Sequence, residues 1–324
     1  MIISKTPFRI SFFGGGTDFP DYYNKYGGKV IGGSIDKYCY ISIRELPPFF
    51  NHKYRFVWSK IENLSSTAQS SHPAFKAIFK YFKIKTGMEI HYDGDLPSRS
   101  GIGSSSSFTI GLINCLNLHL NKKKNKKKLS EQGIFLEQKI LKEQVGSQDQ
   151  VWSSFGGFNK ISFNKNNIKV KKNILNDEKL VELEKNLILF FTGKTRIANN
   201  IEKTKIKNID KKIEHYHKIK TYVDECERLL KNNEFDNFGR LLEEYWFLKK
   251  KLSKGVSNIL IDELYSEAKF CGSLGGKILG AGGGGFIMFY GNKSVQNRLK
   301  KRFSKLTYLK FKFEKEGSQI ILNK

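Results

Sequence analysis

Cysteine is scarce in this 324-residue chain, and the four present, Cys39, Cys115, Cys226 and Cys271, stand far apart with no C-x-x-C pair. Neither a zinc site nor a disulfide framework has the spacing it needs, so buried free thiols are expected. Long apolar runs are missing as well. No stretch approaches the roughly 18 to 20 apolar residues of a membrane span, and the opening Met1-Ile-Ile-Ser-Lys-Thr-Pro7 has no signal-peptide h-region. No membrane partner and a cytoplasmic location are therefore expected. Acidic residues are short: 31 Asp and Glu face 57 Lys and Arg, a formal net charge of +26. The excess is mostly lysine, gathered at 122–128 and within 202–220. The first run is expected to follow a helix C-terminus, where cations suit the dipole, and the second to form a solvated helix face. A field of this sign attracts anionic metabolites and nucleic acids alike, so charge does not choose between them.

Several familiar motifs are also absent. Gly-x-x-x-x-Gly-Lys-Ser/Thr fails at its one window, where Cys271 replaces the first glycine and Ile278 the hydroxyl residue. Gly280-Ala-Gly282-Gly-Gly-Gly285 matches the dinucleotide fingerprint in letters, yet the strand-like Phe286-Ile287-Met288-Phe289 follows where a helix is required. Gly103-Ser104-Ser105-Ser106-Ser107 lacks the closing glycine of a nucleophile elbow, which argues against a serine hydrolase.

What is present organises the chain. Its length predicts two domains, and 39% hydrophobic with 13% aromatic residues excludes wholesale disorder. Residues 2–13, a glycine turn at 14–18 and residues 29–44 read as strand, turn, strand. Loops at Pro47-Pro48 and 63–72, a helix at 74–81 and a strand at 88–92 lead to a serine-rich stretch that opens a helix. A second helix is expected from a Ser130 cap to about Gln144, stopped by Gly146, with a strand at 160–163 beyond it. The Asn/Lys-rich stretch 164–173 loses apolar content, which places a boundary near 165 and divides the chain into 1–165 and 166–324. Strands at 187–191, 277–280, 286–290, 308–314 and 319–322 and helices at 199–231, 234–251, 257–270 and 295–303 are expected after it. Strands and helices mix without strict βαβ repetition, so an α+β fold is predicted.

Chemistry concentrates in Pro97-Ser-Arg-Ser-Gly101-Ile-Gly103-Ser-Ser-Ser-Ser107-Phe108. Glycines let backbone amides approach an anion, serines add donors or a metal ligand, and the helix that follows directs its unpaired N–H groups at the same place. Phe108, Leu112, Leu116 and Leu120 recur every four residues, as such a helix requires. Glu137 falls on the apolar stripe of its own predicted helix, with Gly133, Ile134, Ile140 and Leu141 as neighbours. An inward carboxylate needs a cation or donors, and magnesium would serve. Asp149, on a predicted turn twelve positions later, then becomes a candidate for contacting a substrate hydroxyl. A phosphate-binding backbone, a metal carboxylate, a cation and a group orienting the nucleophile are the parts of phosphoryl transfer.

Together with both ends of the chain, these residues resemble the GHMP small-molecule kinases, the family of galactokinase, homoserine kinase, mevalonate kinase and phosphomevalonate kinase. Three separated motifs appear in order: Pro7-Phe-Arg9-Ile-Ser-Phe-Phe-Gly14-Gly-Gly-Thr17-Asp18, then Pro97 to Phe108, then Lys277-Ile-Leu-Gly280-Ala-Gly-Gly-Gly-Gly285-Phe286. The resemblance implies an α+β fold of two domains, the first like ribosomal protein S5 domain 2 and the second ferredoxin-like, with the active site between them. It implies ATP and Mg2+ as cofactors. Pro97, Ser98, Gly101, Gly103, Ser104, Ser105 and Ser106 would hold the nucleotide, and Ser105 and Glu137 the metal. Asp149 and Arg9 would be catalytic, while Gly15, Gly16, Thr17, Asp18, Gly282 and Gly283 would meet the acceptor. The Gly-Gly-Gly-Thr-Asp form of the first motif, Ile35-Asp-Lys-Tyr38, Gly146-Ser-Gln-Asp-Gln150 and Thr192-Gly-Lys-Thr-Arg196 resemble the heptose 7-phosphate kinases and fucokinase-like members of the family. The implied substrate is a small sugar phosphate, with Lys194 and Arg196 as candidate phosphate-binding cations and no specific nucleic acid partner. An unphosphorylated sugar stays open as the acceptor, and from another class so does a basic RNA-binding module.

Overall fold

The computed structural model describes residues 1–195 and 199–324. Alternating burial shapes the first strand, β1 (Ile2–Phe13), only as far as Thr6; from there to Phe13 every residue is buried, so this half is covered on both faces. The chain then runs through α1 (Pro20–Tyr26), β2 (Gly28–Glu45), β3 (Tyr54–Val57), β4 (Ile61–Leu64), α2 (Pro73–Phe82), β5 (Met88–Gly94), α3 (Ser104–His119), α4 (Lys126–Phe135), α5 (Gln148–Phe155), β6 (Phe158–Asn164) and β7 (Asn167–Lys171). It continues with α6 (Asp177–Lys185), β8 (Leu187–Phe191), α7 (Asn199–Lys207), α8 (Ile213–Lys231), α9 (Phe235–Lys250), α10 (Ile259–Phe270), β9 (Gly275–Ile278), β10 (Phe286–Tyr290), α11 (Lys293–Arg302), β11 (Tyr308–Leu309) and β12 (Gln319–Asn323).

Two sheets form among the described residues. The larger has the order β12-β1-β2-β5-β3-β4, with β6 and β7 attached to the other end of the long β2. Gly28 to Gly33 of β2 pair with β6, and Cys39 to Glu45 pair with β5, so one strand carries two neighbours in succession. The smaller sheet is antiparallel, in the order β11-β8-β10-β9. The apolar core does not divide with the sheets. Phe12 meets Phe238 edge-on at 5.5 Å and Phe13 meets Tyr245 at 5.1 Å, which joins β1 to α9. Such pairs add about 0.5–1.5 kcal/mol beyond area burial, and they fix the glycine turn after β1 against the second half of the chain.

The structure departs from the sequence reading in instructive places. The expected break near 165 does not separate the sheets: β7 and β12 both lie beyond it, and they pair with β6 and β1. Ser130 lies inside α4, and Asn125 caps that helix by accepting from the Lys128 N–H. Three lysines of the 122–128 run therefore open α4, where the dipole opposes them. The helix expected to reach Gln144 ends at Phe135 and widens into a π turn, Leu136–Ile140. Asp149 stands in the first turn of α5. The helix expected over 199–231 breaks at a short 3-10 turn, Asp210–Lys212. The strand expected at 308–314 is confined to Tyr308–Leu309. All four cysteines are buried and free.

Candidate active site

The serine-rich loop is shaped by three residues with positive φ, Arg99, Gly101 and Gly103. Pro97 and Ser98 are exposed, and the Pro97 carbonyl accepts from Ser100 Oγ at 2.6 Å. Gly103 precedes α3 in a left-handed conformation with no side-chain cap. The first N–H groups of a 16-residue helix are thus left to an outside acceptor. α3 itself is buried on almost every side, more completely than the four-residue repeat implied, and packs between β1, β2, α4 and α5.

The four serines separate by direction. Ser104 Oγ accepts from the Arg99 N–H at 3.2 Å, which holds the loop. Ser105 is exposed. Ser106 donates inward to Glu137 Oε2 at 2.9 Å, and Ser107 donates to the Pro7 carbonyl at 3.0 Å.

Gly101 reaches across to the third motif. A Cβ on Gly280 would stand 2.7 Å from Gly101 Cα, and a Cβ on Gly101 would stand 2.6 Å from the Leu279 carbonyl oxygen. Only glycine lets the two segments touch. The Phe286 N–H also donates to the Ser100 carbonyl at 3.0 Å. Gly282 and Gly283 lie against Val256, and Gly283 N donates to its carbonyl at 2.9 Å. Lys194 is exposed, with its carbonyl accepting from Gly285 N at 2.8 Å; Arg196 falls outside the described residues.

Arg9 joins these parts. It is buried, and its Nε and Nη2 donate to the two oxygens of Asp149 at 2.8 and 2.7 Å, while Nη1 donates to the Gly101 carbonyl at 2.7 Å. A planar fork matched to a carboxylate fixes both distance and orientation. Asp149 is aimed by α5, whose Val151 and Trp152 sink into a cluster with Val30, Ile161 and Phe163. Truncating a buried tryptophan costs about 3–5 kcal/mol, so α5 is held firmly.

The glycine turn meets α5 from the other side. Asp18 is fully enclosed; Oδ1 accepts from Gly16 N at 2.9 Å and Oδ2 from Gln148 N at 3.3 Å. Gly146 has a steric reason to be glycine, since a Cβ there would lie 1.9 Å from Asp18 Oδ2. Burial pushes the Asp18 carboxyl up, the Gly16 N–H opposes this, and the charges of Asp149 and Glu202 add to the rise, to about 6. Gly15 lies near Tyr245 and Gly16 near Tyr216, while Thr17 Oγ1 packs between the Gly14 and Lys29 carbonyls.

Glu137 occupies the π turn and is 1% exposed, as expected, but not for the expected reason: the α-helix ends before it and Ile140 of the apolar stripe is exposed. Oε2 accepts from Ser106 and Gln150, while Oε1 makes no bond of ordinary geometry and the Thr109 hydroxyl lies close enough to lower the carboxyl's pKa. Burial pushes this carboxyl up, Glu143 adds to the effect, and the bonds from Gln150 and Ser106 oppose it, to about 8. A buried carboxylate oxygen beside serine hydroxyls fits a hard cation that takes oxygen ligands and keeps part of its water. No cluster of three or more His, Cys, Asp or Glu occurs among the described residues, so such an ion would need ligands from nucleotide phosphates too. Ser105 and Glu137 are the residues that would hold it.

Sequence reasoning did not single out three buried lysines, Lys205, Lys249 and Lys277, or Gln148 and Gln150, which bond to Asp18 and Glu137. Gln148 and Gln150 flank Asp149 and so could have been found by position. Two surface depressions of about 400 and 710 Å³ lie elsewhere and include none of these residues.

Comparison with known proteins defines the class. Residues 68–157 match the GHMP kinases N terminal domain and residues 226–308 the GHMP kinases C terminal domain. The chain belongs to the GHMP kinase family, and it is a phosphotransferase with an alcohol group as acceptor. It is 30% identical to the D-glycero-alpha-D-manno-heptose 7-phosphate kinase of Campylobacter jejuni, over 98% of this chain and 97% of that one. The mevalonate kinase of Methanocaldococcus jannaschii is 26% identical, covering 94% of this chain and 96% of its own. A crystal structure of a D-glycero-D-manno-heptose 1-phosphate kinase from Bacteroides thetaiotaomicron superposes over the whole of both chains with a TM-score of 0.81. At 23% identity that likeness speaks for the fold. No helix among the described residues is long and apolar enough to cross a membrane.

Proposed function

We propose that the protein is an ATP- and magnesium-dependent kinase that phosphorylates the anomeric hydroxyl of D-glycero-D-manno-heptose 7-phosphate, giving the 1,7-bisphosphate. One observation carries this reading: the Arg9 fork holds Asp149 against the serine-rich loop on one side, while Gln148 and Asp18 bind the glycine turn on the other. A nucleotide at the N-terminus of α3 and a sugar at the glycine turn would then both face Asp149. The similarity to a heptose 7-phosphate kinase over nearly the whole chain favours that acceptor.

Asp149 orients the acceptor hydroxyl and provides a site for its proton. The hydroxyl oxygen forms a bond to the γ-phosphorus as the bond from that phosphorus to the β–γ bridging oxygen breaks, and ADP departs with the electron pair. Arg9 and the open amides of α3 offset charge on the phosphoryl oxygens. Ser105 and Glu137 would hold magnesium, which would supply positive charge against the nucleotide phosphates. Asp18 accepts from sugar hydroxyls, and Lys194 and Arg196 are the cations proposed for the 7-phosphate.

The test is a substrate panel scored by product mass: heptose 7-phosphate, the same heptose without phosphate, and fucose. Efficiency at least ~100-fold higher with the phosphorylated heptose is expected, since losing a bound dianion removes several kcal/mol of binding. Equal turnover of the three would overturn the assigned acceptor.

A further inference from the structure

Three lysines lie more than nine-tenths buried around the last residues before the two glycine-rich segments. Lys277 Nζ, from β9, donates to the Ser11 and Phe12 carbonyls at 2.8 and 2.6 Å, just before the Gly14 turn. Lys249 Nζ, from α9, donates to the Ile278 and Gly280 carbonyls at 3.0 and 2.8 Å. Lys205 Nζ, from α7, donates to the Ala281 carbonyl at 2.8 Å, with Glu202 at 3.6 Å. Among the described residues neither Lys249 nor Lys277 has a carboxylate within ion-pair distance.

Carbonyl oxygens solvate an ammonium group only in part, and burying an unpaired charge costs several kcal/mol even after relaxation. Lys249 and Lys277 repel each other and Lys205, and Arg9 repels both. Burial together with this repulsion pushes the Lys249 and Lys277 pKa values well below the ordinary lysine range. A prop for backbone carbonyls needs no charge, and still less several charges in one neighbourhood. The position of the cluster supplies the reason. The Gly280 carbonyl receives Lys249, and Gly280 itself rests on Gly101, whose carbonyl receives Arg9. Amines that a nearby anion would help to keep protonated therefore lie directly behind the place where the serine-rich loop and the third motif touch, in a medium that transmits charge further than water does.

We propose that Lys249 is a positioning residue for the polyphosphate chain of the nucleotide, acting with Lys277 and Lys205 as a buried floor of amines whose positive charge an incoming anion favours. This rests on the phosphotransfer reading above but not on the identity of the sugar. The floor stabilises the liganded enzyme, while its desolvated amines cost the empty one stability, an exchange of stability for function.

Inorganic tripolyphosphate with magnesium is the probe, thermal melting the first readout, and calorimetric ATP affinity the second. Lys249→Met keeps the length of the side chain and removes its charge. Its ligand-free melting temperature is expected to match or exceed that of the unsubstituted protein. Its tripolyphosphate-induced shift is expected to vanish, and its ATP affinity to fall at least tenfold. A merely structural lysine predicts the opposite pattern: a lower ligand-free melting temperature with the shift and affinity retained, and that result overturns the proposal. Should Lys249→Met fail to fold, Lys205→Met is measured in its place, with the same two patterns deciding. If the unsubstituted protein shows no tripolyphosphate shift, the nucleotide reading itself fails and this inference with it; if it shows one that Lys249→Met keeps, only this inference fails.

Discussion

Two carboxylates, Asp149 and Glu137, meet the serine-rich loop from different directions, and the fold treats them oppositely. Asp149 is gripped by both arms of the Arg9 fork, with a quarter of its side chain open to solvent. Glu137 is sealed in among neutral donors, with no cation beside it among the described residues. The first has its charge answered within the protein. The second has neutral donors alone, and the ion proposed for it would supply the cation. A third carboxylate, Glu227 on α8, marks the far end of the scale, with Lys160, Lys171 and Lys231 at 2.7, 2.6 and 2.8 Å. Burial raises its pKa, but the three lysine bonds outweigh that and hold it at about 2. The charges that answer each acid thus differ: one cation for Asp149, none for Glu137 and three for Glu227.

The largest effect should come from breaking the complete pair. Asp149→Asn preserves shape, leaves Arg9 without a counter-charge, and should lower kcat by about 10³-fold, while ATP affinity measured by calorimetry changes little. Near-normal turnover would show that Asp149 is no more than a structural partner of Arg9.

Glu137 should respond in the reverse sense when ligand-free. An acid whose pKa is raised by folding binds its proton more tightly folded than unfolded, so stability is greatest while the proton is on. Stability is then lost as pH rises from the ordinary value of 4.5 to about 8. The deficit above pH 8 is about 3 kcal/mol, taking roughly 1.4 kcal/mol for each tenfold change in proton affinity and discounting for relaxation. Glu137→Gln should flatten the fall in melting temperature between pH 5 and pH 8, raise it by several degrees at pH 8.5, and abolish the magnesium-dependent part of nucleotide stabilisation. A steeper pH profile in the variant would reverse the comparison.

Asp18→Asn sharpens the contrast from the acceptor side. The acceptor KM should rise about 10- to 100-fold, the worth of a charged hydrogen bond, with ATP affinity unchanged. Asn keeps only one of the two acceptors that Gly16 N and Gln148 N use, so a lower melting temperature should accompany the KM effect, the loss being smaller above about pH 6, where the raised Asp18 pKa already costs the unsubstituted protein stability. The smallest effect belongs to the saturated acid. Lys160→Met leaves Lys171 and Lys231 on Glu227, so a loss of about 1 kcal/mol or less is expected, seen as a slightly lower melting temperature with kcat intact.

Much of this was legible in the residues themselves. Glu137 was expected inside because a helical period placed it among Ile134, Ile140 and Leu141; it is buried, but through a π turn that leaves Ile140 exposed, so the right answer rested on a period the chain does not keep. Lys249 was silent. It sits in a run of three lysines, Lys249 to Lys251, in a strongly basic chain, and nothing local distinguishes the inward one. The break near 165 was read from a loss of apolar content at 164–173, yet β7 pairs there with alternating half-buried and exposed residues, as a sheet edge permits. Composition reports solvent exposure and cannot tell an edge strand from a linker.

Order and local chemistry were written in the chain: which segments bend at glycine, which helix opens towards an anion, and which family's three motifs it carries. Those properties depend on neighbours within a few residues. Only tertiary structure decided that Arg9 and Asp149 meet across 140 positions, that the chain's last strand returns to pair with its first, and that buried lysines gather behind the glycine contact. Such juxtapositions follow from how whole sheets and helices bury apolar surface against one another, a sum over the entire molecule that no short stretch contains.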